Sequence, residues 1–343
     1  MLGNRWMSLR SYRDVYSTST GAFGIDAVFG SLIDFDYWLD CFPGSAREDQ
    51  MRLQSLLSLA SGGYMLPLIS YNPWTDMKTG GASLALVRKA VSDYGFIGVK
   101  IYPPMGYFPY GNANAMPPVK SDKPRPSDLH ELDRRLCDFF DLCAELKVPV
   151  IAHTGQSMGR DDASDRYDMF GGPRGWRSLL ARSMKGRQVP IIQAGHFGGD
   201  TTNSGADGSN WSAVFAGMMA EAKGGKLYAD VGYWTAPTGN EYDPKCEGLR
   251  GRVGCALKIN PAAKSRIMYG TDWFMTSKEP NWNEYPANIS LALGDLVGRD
   301  ELFAKNALDC YGLGENGDNV VRLQSRFKNA GIVAPAWLGS AIR

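Results

Sequence analysis

The chain has 343 residues, and its 37 basic side chains almost balance its 36 acidic ones. This balance argues against a dedicated nucleic-acid or acidic-lipid binder, because such proteins carry a strong basic field. No apolar run approaches the roughly 18 residues that cross a bilayer, and the first residues contain no apolar signal core. The six cysteines form no C-x-x-C pair. Together these features predict a cytoplasmic protein with reduced thiols and neither membrane nor nucleic-acid partners.

Short β-rich runs alternate with segments of helical periodicity along the sequence, which is typical of parallel βα units. The predicted strands are Ala27–Phe35, Tyr64–Ser70, Phe96–Tyr102, Val148–His153, Val189–His196, Leu227–Gly232 and Arg266–Asp272. Their starts lie about 30 to 50 residues apart, which leaves room for a helical crossover each time. We therefore predict an α/β fold, a (β/α)8 barrel of the TIM type. The alternative, an open doubly wound sheet, usually carries a glycine-rich phosphate loop that is missing here.

The clearest helix is predicted after Pro126, where Ser127 or Asp128 can cap its first turn. Its apolar stripe consists of Leu129, Leu132, Leu136, Phe139, Cys143 and Leu146. Such a stripe is core packing. His130 lies outside the stripe, and we expect it on the solvated surface.

Polar side chains end four of the predicted strands on the carboxyl side. Lys100 lies in GVKIYPP, His153 in VPVIAHTG, His196 in VPIIQAGHFGG and Asp272 in RIMYGTDW. In a closed parallel barrel these positions meet at one mouth, although they are far apart in sequence. Imidazole and carboxylate ligands suit Zn²⁺ or a similar divalent ion, which would lower the pKa of a bound water toward ~7.

Each of these residues also has a structural interpretation. A single histidine after an apolar run is often a hydrogen-bonded structural residue. Asp272 could cap the next helix, and Lys100 could snorkel or pair with a carboxylate. Two of the three histidines, however, end successive strands in the same way, which favours a shared function.

Six segments resemble the amidohydrolase superfamily of TIM-barrel metal-dependent hydrolases. The resemblance is to the amidohydrolase-2 branch, which includes amino-carboxymuconate-semialdehyde decarboxylase-like proteins. The segments are GVKIYP, CAELKVPVIAHTG, GWRSLLARSMKGRQVPIIQAGHFGG, LYADVGYW, RIMYGTDWF and LFAKNALDCYGL. Each is a weak match alone, and their order and spacing between about residues 25 and 313 carry the resemblance.

The resemblance implies roles for the residues at the strand ends. His153 corresponds to a metal ligand, and His196 to a second-metal ligand or a catalytic group that polarises the substrate. Asp272 corresponds to a metal ligand that also acts as the catalytic proton acceptor. Lys100 corresponds to a residue that contacts the substrate. The implied cofactor is a divalent metal ion, with Zn²⁺ as the first choice.

Further substrate-binding candidates follow strand ends or open loops at the same mouth. Tyr102, Asp230, Trp234 and Trp273 are predicted there from their positions. Arg174 suits a substrate carboxylate through bidentate hydrogen bonds, although an exposed structural arginine fits its position equally well.

One motif of the superfamily is missing. Its first strand ends in an H-x-H pair that supplies two metal ligands, and this sequence contains no H-x-H. Counting back from Asp272 on the eighth strand makes Ala27–Phe35 the second, so we expect the first strand to be missing. Three explanations stay open: an N-terminal truncation, a pseudoenzyme, or a site completed by residues such as Asp34 or Asp36.

We expect residues 1–24 to be a remnant helix or loop, 25–315 the barrel, and 316–343 a C-terminal helix and tail. The predicted function is hydrolysis of a C–N or C–O bond in a small organic substrate by metal-activated water. The alternatives are metal-dependent non-oxidative decarboxylation and a catalytically inactive barrel. Without the first-strand ligands we expect weak metal binding, and unpaired strand edges predict aggregation. Whether the protein forms a homo-oligomer is left open.

Overall fold

The computed structural model describes residues 5–16, 24–36, 45–115, 128–155, 168–182, 188–199, 210–221, 227–234 and 247–340. These residues form one parallel sheet whose seven strands follow one another in chain order. The strands are β1 (Val28–Ser31), β2 (Met65–Ser70), β3 (Gly98–Ile101), β4 (Val150–His153), β5 (Ile192–Gly195), β6 (Leu227–Asp230) and β7 (Ile267–Met268). The sheet curls into part of a barrel. The predicted parallel α/β sheet is confirmed, and the missing first strand stays a prediction.

Helices connect the strands and cover the outer face of the sheet. Those in the described part of the chain are α1 (Arg5–Tyr16), α2 (Arg47–Ala60), α3 (Pro73–Lys78), α4 (Ala82–Asp93), α5 (Asn112–Ala115), α6 (Leu129–Glu145), α7 (Pro173–Leu180), α8 (Trp211–Glu221), α9 (Glu247–Ile259), α10 (Trp273–Thr276), α11 (Tyr285–Leu293), α12 (Asn306–Tyr311) and α13 (Asp318–Asn329). Among them, no helix has the length and apolar character that a membrane span requires.

Helix α6 shows how the sequence sets a local element. The Asp128 carboxylate accepts a hydrogen bond from the Glu131 backbone N–H at 2.9 Å, so it caps the first turn. Such a cap contributes about 1 kcal/mol. The buried face carries Leu132, Leu136, Phe139, Phe140, Leu142 and Cys143. His130 is exposed, as predicted.

Successive residues of each strand face two different apolar layers, because side chains alternate along a strand. The layer under the helices includes Val99, Ile101, Val150, Ala152, Ile192 and Ala194. The layer inside the barrel includes Leu66, Leu68, Tyr228, Met268, Tyr311 and Leu323. Lys100, His153 and Asp230 occupy inner positions one step beyond this layer, so the strand pleat turns them into the barrel.

The two ends of the described chain both pack on the barrel. Helix α13 places Leu323 and Phe327 in the inner apolar layer, and its Asn319 amide donates to the Ile97 and Tyr311 carbonyls. Helix α1 packs through buried Tyr12 and Tyr16. Of the predicted N-terminal segment, residues 1–4 and 17–23 lie outside the described part.

Candidate active site

The structure brings two histidines together at the carboxyl edge of the sheet. His153 is the last residue of β4, and His196 follows β5 directly. Their ring centroids are 4.5 Å apart, and the rings are inclined by 64°. The two strands pair in parallel with His153 opposite Gly195. Adjacent parallel strands therefore create the convergence that the sequence predicted for these two residues.

Aromatic side chains hold the His153 ring from the other side. Tyr102, which follows β3, stacks on it with centroids 4.5 Å apart and planes 29° from parallel. Phe35 packs edge-on against Tyr102 at 5.0 Å, and the Tyr107 hydroxyl accepts the Tyr102 backbone N–H at 3.2 Å. The predicted substrate-binding Tyr102 therefore lies in the site as a wall beside His153.

A backbone carbonyl fixes the protonation of the His196 ring. Its Nδ1 lies 2.7 Å from the Gly232 carbonyl oxygen. Since a carbonyl can only accept, Nδ1 carries the hydrogen and the neutral ring has Nε2 as its basic nitrogen. In addition, the Trp234 indole donates to the His196 carbonyl at 3.0 Å. His196 is thus held at both its ring and its backbone.

Asp230 at the end of β6 is a structural acceptor for this histidine. One carboxylate oxygen accepts the backbone N–H groups of His196 at 3.2 Å and Gly232 at 2.9 Å. The other accepts the Gln193 amide at 2.6 Å, and Gln193 in turn accepts the Tyr311 hydroxyl at 2.6 Å. The sequence predicted Asp230 as a substrate contact, whereas these bonds occupy both of its oxygens.

Close backbone approach around Asp230 explains the glycines at these strand ends. A Cβ on Gly232 would lie 2.9 Å from the Asp230 carboxylate, and one on Gly270 would lie 3.0 Å from it. A Cβ on Gly195 would lie 2.7 Å from the Ala152 carbonyl oxygen. The glycines in the QAGH, DVGY and YGTD segments therefore let the β5, β6 and β7 ends close around one carboxylate.

Lys100 is a buried cation inside the barrel. It is 8% exposed, and burial lowers the pKa of its amine from the ordinary value, while the carboxylates of Asp230 and Asp272 act in the opposite direction. Within the described residues no carboxylate forms an ion pair of 4.0 Å or less with it. Among the described residues, therefore, no close ion pair offsets the cost of burying the Lys100 ammonium.

Asp272 lies at the edge of the site in a constrained backbone conformation. It precedes α10 with φ 51° and ψ 57°, and its side chain does not cap that helix. Its backbone carbonyl instead accepts the N–H groups of Met275 and Thr276. Asp272 is exposed, yet its charge reaches Lys100. The capping interpretation therefore describes its backbone position and not its carboxylate.

Left-handed backbone conformations concentrate at this edge. Non-glycine residues with positive φ include His196, Phe197, Tyr233 and Asp272, and each of them follows the carboxyl end of β5, β6 or β7. Such conformations are sparsely populated and persist only where the surroundings fix them, which is common at functional sites. The strain supports this edge as the functional one.

The remaining substrate-binding candidates pack against neighbouring rings and backbone. Arg174 is exposed on α7, with its guanidinium 5.8 Å above the Phe108 ring. Trp273 packs against Tyr12 and Tyr16 of α1 with centroid distances of 4.8 and 5.5 Å. Trp234 is fully buried under His196.

The carboxylates of Asp34 and Asp36 are committed to one guanidinium. Arg47 pairs with Asp34 at 3.0 Å and also contacts Asp36. This ion-pair cluster gives both carboxylates a structural role and does not favour them as replacements for the H-x-H ligands.

A divalent ion would find an incomplete set of donors here. His153 and His196 offer two imidazoles, but the described residues contain no group of three or more His, Cys, Asp or Glu side chains that could hold a metal ion. Structural and catalytic zinc sites use at least three protein ligands. The described side chains therefore do not fit a tightly held Zn²⁺.

Two residues that were not predicted from the sequence support the site from below. Gln193 and Tyr311 complete the hydrogen-bond chain to Asp230, although they lie 118 positions apart. A signal was present in the VPIIQAG strand, where Gln193 is the one amide in an apolar run. A buried amide needs partners, so it marks a hydrogen-bond network.

Solved structures of known proteins resemble this chain to different degrees. A 2,6-dihydroxybenzoate decarboxylase from Rhizobium superposes with a TM-score of 0.50 at 14% identity, covering 91% of this chain and 88% of that one. An amidohydrolase II gives 0.46 at 13% identity, covering 89% and 87%. A putative amidohydrolase from Staphylococcus aureus gives 0.41 at 12% identity, covering 84% and 99%. The likeness to the Rhizobium enzyme shows the fold alone.

No curated protein is similar to the sequence at a significant level. The amidohydrolase family model, in contrast, matches residues 69–313, which include β3 to β7 and the candidate site. Members of this family generally use a divalent metal ion. Since the match covers most of the chain, the protein belongs to the amidohydrolase family.

Proposed function

We propose that this chain is an enzyme that hydrolyses a C–N or C–O bond in a small organic acid. The observation that carries the proposal is the His196 ring, whose Nδ1–H donates to the Gly232 carbonyl and leaves Nε2 as a base. The His153 ring lies beside it at 4.5 Å. A pair of imidazoles can take one proton and deliver another near neutral pH.

Each residue of the site is assigned one step of the reaction. His196 Nε2 accepts a proton from water, and the water oxygen attacks the carbonyl carbon of the substrate. The Lys100 ammonium attracts the substrate's carboxylate or the oxyanion that develops. His153 gives a proton to the leaving nitrogen or oxygen as the bond breaks. Asp272, exposed at the same edge, passes protons to solvent.

A metal-dependent version of this reaction would need more metal ligands than the described side chains supply. A divalent ion would supply an activated water, and His153 and His196 would be two of its ligands. Because no described side chain completes a set of three, we assign the proton transfers at the water and at the leaving group to the two imidazoles. Zn²⁺ stays a prediction.

Lys100 favours a second candidate, non-oxidative decarboxylation on the same scaffold. A buried ammonium that forms no ion pair with any described carboxylate suits a substrate carboxylate. Hydrolysis consumes water and leaves the carboxylate in place, whereas decarboxylation releases CO₂. Measuring CO₂ release beside product formation separates the two reactions.

The test compares His196→Ala with His130→Ala, which removes an exposed histidine on α6. Initial rates are measured on a panel of small amides, lactones and hydroxybenzoates. His196→Ala should lose about 10²–10⁴-fold in kcat, the usual contribution of a general base, and His130→Ala should keep its rate. Equal rates for both variants would contradict the proposal. No turnover by the unmodified chain on the whole panel would favour the inactive alternative.

A further inference from the structure

The barrel wall has a gap between its first and last strands. Within the described residues β1 pairs with β2 alone and β7 with β6 alone, so the outer edges of β1 and β7 do not bond to each other. A barrel leaves no edge only when such strands are joined or covered. Some other element must therefore cover this gap.

Helix α1 occupies the gap and contacts both sides of it. Buried Tyr12 and Tyr16 pack with Tyr64 and Val28 beside the β1 edge. On the opposite side both rings pack edge-on against Trp273, which follows the β7 edge. The Ile25 N–H donates to the Tyr16 carbonyl at 2.9 Å. The helix therefore contacts both the start of β1 and the segment that follows β7.

Further contacts join α1 to the segment after β7. The Tyr16 hydroxyl donates to the Trp282 carbonyl. The Tyr12 hydroxyl lies near those of Tyr269 and Thr271, and burial raises its pKa, so it stays protonated. Tyr269, Thr271 and Trp273 all lie within three positions of Asp272 on the chain. Tyr12 therefore contacts side chains on both sides of Asp272 in the chain.

The conformation of Asp272 needs this support. Its φ of 51° is in the left-handed region, which a non-glycine residue keeps only where neighbouring contacts fix it. The Tyr269 N–H donates to the Leu302 carbonyl at 2.7 Å, which directs the chain away from the sheet just before Asp272. Among the described elements, α1 packs on this segment from the side of the gap.

We propose that α1 is the wall element between β1 and β7, and that Tyr12 is a positioning residue that sets Asp272 at the mouth. The position of α1 in the barrel wall is inferred from its packing contacts alone. The effect of Tyr12 on turnover rests on the proposed function. Removing Tyr12 should therefore loosen residues 269–277 and lower turnover, with little change in substrate binding.

The experiment measures amide hydrogen exchange of the full chain as the unmodified protein, Tyr12→Ala and Tyr12→Phe. Phe215→Leu is the matched control, since Phe215 is equally buried but lies on α8, away from the gap. Exchange of residues 269–277 should rise about tenfold or more in Tyr12→Ala, less in Tyr12→Phe, and stay unchanged in Phe215→Leu. Tyr12→Phe keeps the ring and so guards against a misfolded alanine variant.

Kinetics of the same variants separate the two proposals. We expect Tyr12→Ala to lower kcat about tenfold or more while KM changes less than about twofold. Unchanged exchange at 269–277, or an equal rise in Phe215→Leu, overturns the role of Tyr12 even if His196→Ala remains inactive. Faster local exchange with no turnover in any variant keeps the wall position of α1, and it overturns the proposed function together with the effect on turnover.

Discussion

Lys100 is the residue whose burial acts most directly against stability. It lies inside the barrel with 8% of its surface exposed, and burial lowers its pKa from 10.5. Between the lowered pKa and 10.5 the folded state binds fewer protons than the unfolded chain, so stability rises with pH in that window. Below the window the folded protein bears the full penalty of a buried charge.

We therefore expect Lys100→Met to be more stable than the unmodified protein at pH 7, by about 1 kcal/mol or more. The difference should shrink as the pH rises toward 10.5 and vanish above it, where the amine is neutral in both states. Urea unfolding at pH 7 and pH 10 measures it, with exposed Lys328→Met as the control. A variant that is less stable at both pH values would show that Lys100 has an internal partner.

Asp230 lies at the centre of the hydrogen bonds that hold His196. Asp230→Ala would leave three donors without their acceptor, the buried ones of Gly232 and Gln193 and the half-buried one of His196. We expect a loss of about 2–4 kcal/mol in the free energy of unfolding, with a large loss of activity. Chemical denaturation and initial rates measure the two effects.

The milder variant Asp230→Asn provides the contrast. Its oxygen can still accept both backbone N–H groups, and the Gln193 amide can rotate so that its oxygen meets the new NH₂ group. The Tyr311 hydroxyl can then accept instead of donate. We expect less than half the destabilisation of Asp230→Ala. Equal losses in both variants would mean that the negative charge, and not the bonding pattern, is what Asp230 supplies.

Among the elements, the strands were the part that the sequence predicted best. Each of the seven predicted runs contains one observed strand, because parallel strands buried on both faces appear in the sequence as short, nearly continuous apolar runs. Their ends were less certain. The run to Asp272 contains a strand of only two residues, Ile267–Met268, since Tyr269 bonds to Leu302 and leaves the sheet. Such a partner is remote in sequence and leaves no local pattern.

The candidate site was predictable where it depends on strand ends and not where it depends on long-range bonds. His153 and His196 meet because adjacent parallel strands end together, a consequence of the fold class. The hydrogen bonding of Asp230, in contrast, involves Gln193 and through it Tyr311, and these two residues lie 118 positions apart. The pairing of Asp34 and Asp36 with Arg47 depends on a helix entering at a particular angle. Neither arrangement follows from spacing alone.

At the scale of the whole molecule, helix α1 changes the expectation for the sheet edges. Exposed edges of β1 and β7 would offer unpaired backbone groups to other chains, which is the basis of the predicted aggregation. With Tyr12 and Tyr16 buried against Val28 and Trp273, α1 shields part of those edges as long as the helix stays docked. Aggregation should therefore increase when α1 packs less tightly, as in the Tyr12 variants.

Metal affinity is a second property of the whole molecule, and the set of available donor side chains determines it. The family generally uses a divalent ion, whereas the described residues supply two imidazoles and no third His, Cys, Asp or Glu ligand in reach of a shared ion. Each missing ligand weakens a zinc site severely, because a nearly closed shell of protein donors holds the ion.

We expect chelator-washed protein, incubated with Zn²⁺ and then desalted, to retain less than about 0.1 zinc per chain. Elemental analysis measures this ratio, and the His153→Ala/His196→Ala double variant gives the background from incidental surface sites. Zinc near one per chain that disappears in the double variant would show that the two histidines belong to a complete site, and the water would then be activated by the metal ion and not by His196.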